Sequence, residues 1–182
     1  MKLGGGRRKT TVTKRSDTEI YAGLDLSLTS PGFAAVSVKN RKPTLVAVTH
    51  AKTSANMTDA QRRAVVKSTA LLFANKYGPF DGIVREDFTS GRNKRATQTI
   101  YSAWAAVEDG LAALGYDITA HITPTTVKKT IGGSGSADKA DVAAGVRRIL
   151  GLAADYRFAT DDESDAAAVV LAWLIREGRI DV

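Results

Sequence analysis

Cysteine is absent from this chain, and histidine occurs only twice, at His50 and His121. No disulfide framework and no Cys-ligated zinc site can therefore form. The two histidines stand apart, at or near strand ends, with no carboxylate spacing that would make a metal triad. They read as ordinary structural residues that complete hydrogen-bond networks. No apolar run approaches bilayer-spanning length and no secretory apolar segment is visible, so a soluble, intracellular protein with no membrane partner is expected. Internal repeats are missing too. Residues 1–16 contain no acid, and their six cations (Lys2, Arg7, Arg8, Lys9, Lys14, Arg15) supply +6 of the net +7. With Gly4-Gly5-Gly6 and no apolar periodicity, residues 1–19 read as a basic, flexible tail suited to tracking phosphates by counterion release. Residues 20–182 then form one domain large enough for a real core.

The body alternates strands with helices. Residues 21–25 make a short apolar strand that ends in an acid. A second strand at 33–39 follows the turn Ser30-Pro31-Gly32, and a third at 45–49 follows the turn Arg41-Lys42-Pro43. Thr58 and Gln61 form a capping box that opens a helix to Tyr77, stopped by Gly78-Pro79. Residues 82–86 predict the fourth strand, 96–114 a helix ended by Gly115, and 118–122 the fifth strand. Ser136 caps a helix through Leu150, closed by Gly151, and an acid-rich apolar helix completes the chain. Hairpin-linked strands followed by βαβ units imply an α/β fold, a five-stranded mixed sheet flanked by helices on both faces.

That last helix opens with Asp161, Asp162, Glu163 and Asp165. Asp162 and Asp165 lie three residues apart and share one helical face, which Ala166, Val169 and Trp173 continue inward. Acids favour any helix N-terminus through the macrodipole, so the cluster gains meaning only from partner carboxylates elsewhere. Asp25 and Glu86 are such partners. Each ends a strand, and if those strands are parallel neighbours both emerge at one sheet edge, where open α/β sheets place their sites. Asp87 is also acidic, but the strand parity that buries Val84 favours Glu86. Four carboxylates, Asp25, Glu86, Asp162 and Asp165, make an all-oxygen pocket suited to Mg²⁺, with Mn²⁺ substituting. Two such ions roughly 4 Å apart activate water and stabilise a leaving 3′ oxygen in phosphodiester hydrolysis.

Four motifs stand in order: Gly23-Leu24-Asp25-Leu26-Ser27, Ile83-Val84-Arg85-Glu86, Pro124 to Lys129 with Gly133 to Lys139, and Asp162-x-x-Asp165-Ala166-Ala167. Together they resemble the RuvC-like Holliday junction resolvases of the RNase H-like superfamily, over residues 21–173. The resemblance implies a homodimer of bacterial or phage type that nicks a four-way DNA junction symmetrically, using Mg²⁺ and leaving 5′-phosphates; a cytoplasmic location is expected, with a nuclear or organellar address left open. Arg85 departs from the apolar residue expected before the motif Glu. Phe88 stands near the aromatic such proteins insert at the junction, or is an ordinary core residue.

The remaining cations fit a DNA track. Arg92, Lys94 and Arg95 follow the Glu86 strand as a basic loop that would touch backbone phosphates. Lys128 and Lys129 precede Gly132 to Gly135, read as a glycine-rich helix start whose N–H groups would hold a phosphate. One lysine of this pair, taken as Lys129, would neutralise transition-state charge as a catalytic residue. Arg147 and Arg148 read as surface cations. Trp104 and Trp173 lie on apolar helical stripes, and Tyr101, Trp104, Val107 and Leu111 are offered as part of a homodimer contact. No GK[ST] follows a glycine loop, and no second phosphate loop is present, which argues against an actin-like ATPase. A non-catalytic DNA-binding module should have lost a carboxylate, and none is lost. A nuclease for other branched DNA or for RNA–DNA hybrids remains open, because the metal chemistry would be the same.

Overall fold

The computed structural model describes residues 17–87 and 94–182; residues 1–16 of the expected tail, Phe88 and Arg92 lie outside them. Five strands form one sheet in the order β3-β2-β1-β4-β5. They are β1 (Thr18–Asp25), β2 (Gly32–Lys39), β3 (Lys42–His50), β4 (Gly82–Glu86) and β5 (Ala120–Ile122). β1, β2 and β3 pair antiparallel, whereas β1 with β4 and β4 with β5 pair parallel. The mixed sheet expected from sequence is the one observed.

β2 reads Gly-Phe-Ala-Ala-Val because helices cover both its faces, so neither face needs polar residues. The β2–β3 hairpin turns at Asn40 and Arg41, both in the left-handed region with φ of 51° and 63°. A two-residue turn of this hand matches the twist of the strands. Arg41-Lys42-Pro43 is therefore not the turn; Lys42 and Pro43 already belong to the edge strand, which tolerates proline. The chain end secures the turn, with Arg41 Nε donating to Asp181 at 2.7 Å and Asp181 N donating to the Arg41 carbonyl at 3.0 Å.

Helices α1 (Asp59–Tyr77) and α2 (Lys94–Ala113) cover one face of the sheet, and α3 (Pro124–Gly132), α4 (Lys139–Ile149) and α5 (Asp161–Arg176) cover the other. Thr58 caps α1 with the reciprocal Gln61 bond expected. On the first face Phe73, Val66, Trp104 and Val107 pack against Ala22, Leu24 and Phe33. On the second, α5 runs between the sheet and the α3–α4 pair, which explains why it is apolar on all sides from Ala166 to Leu174. Tyr21 meets Trp173 there with ring centroids 5.5 Å apart. Among the described residues no helix is long and apolar enough to cross a membrane.

Further sequence readings need correction. α3 was not expected as a helix, although Thr123 caps it and Pro124 occupies its first turn. Gly132 to Gly135 consequently follows a helix end, with Gly133 in the left-handed region at φ 86°, and is not a helix start. α4 is capped by Asp138 in a box with Asp141, not by Ser136. Trp104, Val107 and Leu111 are buried within this chain, so of the four residues offered for a dimer contact only Tyr101 stays exposed. β5 is also shorter than expected, because Thr119 uses its hydroxyl to accept from Ile83 N at 3.0 Å.

Candidate active site

Parallel pairing of Leu24 with Arg85 sets Asp25 and Glu86 side by side at the C-terminal edge of β1 and β4. Main-chain hydrogen bonds fix that spacing. α5 brings Asp162 and Asp165 to the same edge, and two glycines permit its close approach. A Cβ on Gly23 would stand 2.2 Å from the Ala166 carbonyl oxygen, and one on Gly32 would stand 1.9 Å from that of Asp162. Any larger residue at either position would push the helix start off the sheet.

The helix start is held by side chains. Thr160 makes no side-chain cap, and its hydroxyl is buried without a hydrogen-bond partner. Glu163 instead ties the incoming loop to the helix, accepting from Ala159 N at 2.9 Å and pairing with His50 Nδ1 at 2.9 Å. His50, read from sequence as structural, thus ties the end of β3 to the residue between the two candidate acids. Ser30 Oγ donates to Asp162 Oδ2 at 2.5 Å, and Ser27 Oγ accepts from Ser30 N at 2.9 Å to shape the β1–β2 turn. Ser27 is thus a turn residue.

Lys139, not singled out from sequence, lies 3.3 Å from Asp165 Oδ2 and 3.5 Å from Asp161 Oδ2. Burial lowers its pKa, but Asp165 and Asp161 more than offset this and leave it raised. Its signal was the Asp138–Asp141 capping box, which makes Lys139 the first residue of α4. Glu86, Lys128, Lys139 and Asp165 line a pocket of about 170 Å³ against Val127 and Val142. Lys129 is exposed on the last turn of α3 and does not line this pocket; Lys128 does. Lys94 and Arg95 begin α2 and are exposed.

Electrostatics mark the carboxylates as a group. Asp25 is pushed up to about 7, first by burial and then by Asp165 and Asp162. Glu86 is pushed up to about 8 by burial, Asp25 and Asp165, against the opposing pull of Lys128 and Lys139. Burial also raises Asp165, while Lys139 opposes it. Carboxylates that repel one another within a buried edge are stabilised by a cation among them. Among the described residues no three acid, histidine or cysteine side chains gather tightly enough for one ion, so these acids face each other at electrostatic range. The donor set itself, all carboxylate oxygens, fits a hard divalent cation.

The family model described as crossover junction endodeoxyribonuclease RuvC matches residues 21–173. The RuvC of Leifsonia xyli subsp. xyli is 33% identical over 152 residues, covering 83% of this chain and 72% of that protein. That of Rhodococcus opacus is 34% identical over 152 residues, covering 83% and 79%. A solved structure of Thermus thermophilus RuvC superposes with a TM-score of 0.73 at 26% identity, covering 88% of this chain and 97% of that one. The same protein in complex with a Holliday junction substrate shares the fold, with a TM-score of 0.73 at 24% identity over 88% and 97% of the two chains. With this sheet order, these strand-end acids and a family match spanning nearly all the folded body, the chain belongs to the RuvC family of crossover junction endodeoxyribonucleases.

Proposed function

We propose that this crossover junction endodeoxyribonuclease resolves four-way DNA junctions by paired symmetric nicks, as a homodimer, with Mg²⁺ or Mn²⁺ held by Asp25, Glu86, Asp162 and Asp165. The observation that carries the reading is the placement of Asp25 beside Glu86 at the ends of parallel neighbours, where burial, and then Asp165 and Asp162, raise Asp25 to about 7. Bound divalent cations would supply an activated water and charge stabilisation at the leaving 3′ oxygen. Asp25 and Glu86 would form the strand-borne half of the cage. Asp162, oriented by Ser30, and Asp165 would form the helix-borne half. Lys128, on the pocket wall, is better placed than Lys129 to neutralise charge on the scissile phosphoryl oxygens. Lys129, Lys94 and Arg95, with Arg92 and Phe88 outside the described residues, would contact the DNA around the cut and set its position rather than its sequence.

A homodimer gives two such sites related by a twofold axis, which suits the two symmetric cuts a junction needs. Work on recombination or repair intermediates in a bacterial or phage-infected cytoplasm follows from the same reading. The test is to incubate the protein and Mg²⁺ with end-labelled four-way junction, replication fork, linear duplex and RNA–DNA hybrid side by side. Paired symmetric nicks confined to the junction are expected. Cutting of the fork or hybrid instead would keep the carboxylate site and overturn the substrate. Size-exclusion chromatography with light scattering tests the dimer; a monomer mass at assay concentration contradicts it.

A further inference from the structure

Arg85 stands where the pattern of β4 leads one to expect an apolar residue. It faces the α1/α2 side of the sheet, opposite the carboxylate pocket, and is only 4% exposed. A guanidinium buried there carries a desolvation cost that leucine would not. Its contacts spread over three elements. The guanidinium carbon lies 3.2 Å from the centroid of the Trp104 ring on α2. Nε stands 3.3 Å from Glu108 Oε1, also on α2, without the geometry of a hydrogen bond. One terminal nitrogen meets His121 Nε2 on β5 at 3.2 Å. The other donates to the main-chain carbonyl of Glu86 at 3.1 Å.

That last contact is the informative one. Glu86 is the final residue of β4, so the orientation of its peptide decides where its carboxylate points. On the pocket side its neighbours include the repelling acids Asp25 and Asp165. From the opposite face, Arg85 grips the Glu86 carbonyl while Trp104, Glu108 and His121 hold Arg85 in turn. We propose that Arg85 is a positioning residue for Glu86, aiming its carboxylate into the pocket and tying that aim to the placement of α2. The inference rests on the reading of Glu86 as a cation ligand.

The test is calorimetric titration of Mn²⁺ into the full chain for wild type, Arg85→Leu, Arg85→Lys and Glu86→Gln. Thermal midpoints in EDTA and junction binding by fluorescence anisotropy accompany it. Residues that orient a ligand typically change metal affinity by about 10- to 100-fold when removed. Arg85→Leu is expected to bind Mn²⁺ about tenfold more weakly, with junction affinity unchanged within about twofold. Its thermal midpoint should stay at or above that of wild type, because an incompletely paired buried cation is gone. Arg85→Lys, which keeps a donor near the Glu86 carbonyl, should lose only about threefold. A merely structural role predicts the reverse, a lowered midpoint with Mn²⁺ affinity intact. Wild-type Mn²⁺ binding by folded Arg85→Leu overturns the proposal. If that variant does not fold, Arg85→Lys decides, since weakened binding supports the proposal and wild-type binding overturns it. Glu86→Gln separates the two possible failures. Wild-type Mn²⁺ binding by Glu86→Gln overturns the cation-site reading itself, and the proposal with it. Weakened binding there alongside wild-type binding by Arg85→Leu overturns the role of Arg85 alone.

Discussion

Asp25 and Glu86 end neighbouring parallel strands, where the β1–β4 ladder sets their separation. Asp162 and Asp165 ride on α5 and are placed by partners, with Ser30 on Asp162 and Lys139 on Asp165. Among the described residues the strand-borne pair makes no side-chain hydrogen bond or ion pair, and burial together with the neighbouring acids raises it to about 7 and 8. The helix-borne pair meets a hydroxyl and an ammonium. A rigid sheet edge can hold like charges together at a cost to stability, whereas a helix start needs side-chain clamps to stay in register. The two halves should therefore respond differently to the loss of a carboxylate.

The largest expected effect tests that difference directly. Asp25→Asn should slow junction cleavage at least about a thousandfold while leaving junction binding intact. The same change should raise the thermal midpoint in EDTA at pH 7.5 by a few degrees, on the order of 2–5 °C, since a buried repelled charge is removed. Asp162→Ala should lose cleavage equally but gain no thermal stability, because Ser30 Oγ loses its acceptor. Midpoints that rise alike in both variants would erase the contrast between the halves.

Next in size are the glycines that admit α5. Gly32→Ala and Gly23→Ala place a methyl 1.9 Å and 2.2 Å from helix carbonyl oxygens. Each should cost about 1–3 kcal/mol of stability in urea denaturation. Each should also lower cleavage more than tenfold, because only the helix-borne half of the site is displaced. Full activity in a destabilised Gly32→Ala would show that the site tolerates a shifted helix start.

The pH dependence follows from proton counting. In the folded chain Asp25 and Glu86 hold protons up to about pH 7 and 8, whereas in the unfolded chain both release them near pH 4. The folded state thus binds more protons across that window, and stability in EDTA should fall as pH rises from about 4 to about 8. Asp25→Asn should flatten the slope. Cation binding needs both groups deprotonated, so Mn²⁺ affinity should increase between about pH 6 and 8, with proton release. Titration heats that do not vary with the ionisation enthalpy of the buffer would contradict this.

The smallest effect belongs to Lys139. Its side chain is 60% exposed, so Lys139→Met should cost less than about 1 kcal/mol of stability. It should also leave Mn²⁺ binding no weaker than wild type, because the ammonium then no longer competes for Asp165. A clear loss of Mn²⁺ affinity would instead give Lys139 a supporting role at the site.

Much of this was visible along the chain, where local rules hold. The capping box at Thr58, the strand ending at Glu86 and the three-residue spacing of Asp162 and Asp165 each depend on near neighbours only. Ser136 and Asp138 show the limit of such rules. Both residue types cap helices well, and the reciprocal bond with Asp141 is what marks Asp138 as the cap. Thr123-Pro124 was a readable start signal for α3 that the glycines after it obscured. Lys139 and the pairing of His50 with Glu163 could not be read locally, because their partners lie 26 and 113 residues away.

The residue order alone determined the strand and helix periods, the four acids at element ends and the excess of positive charge, because these are properties of short stretches and of composition. Tertiary structure alone decided that β1 lies beside β4, that α5 rests against Gly23 and Gly32, and that Arg85 reaches around to the carbonyl of Glu86. Such placements arise from the packing of distant segments, and no local pattern carries the energy of that packing. A carboxylate at a strand end is ordinary; burial, and then Asp165 and Asp162, give Asp25 a pKa of about 7 and a reason to seek a cation.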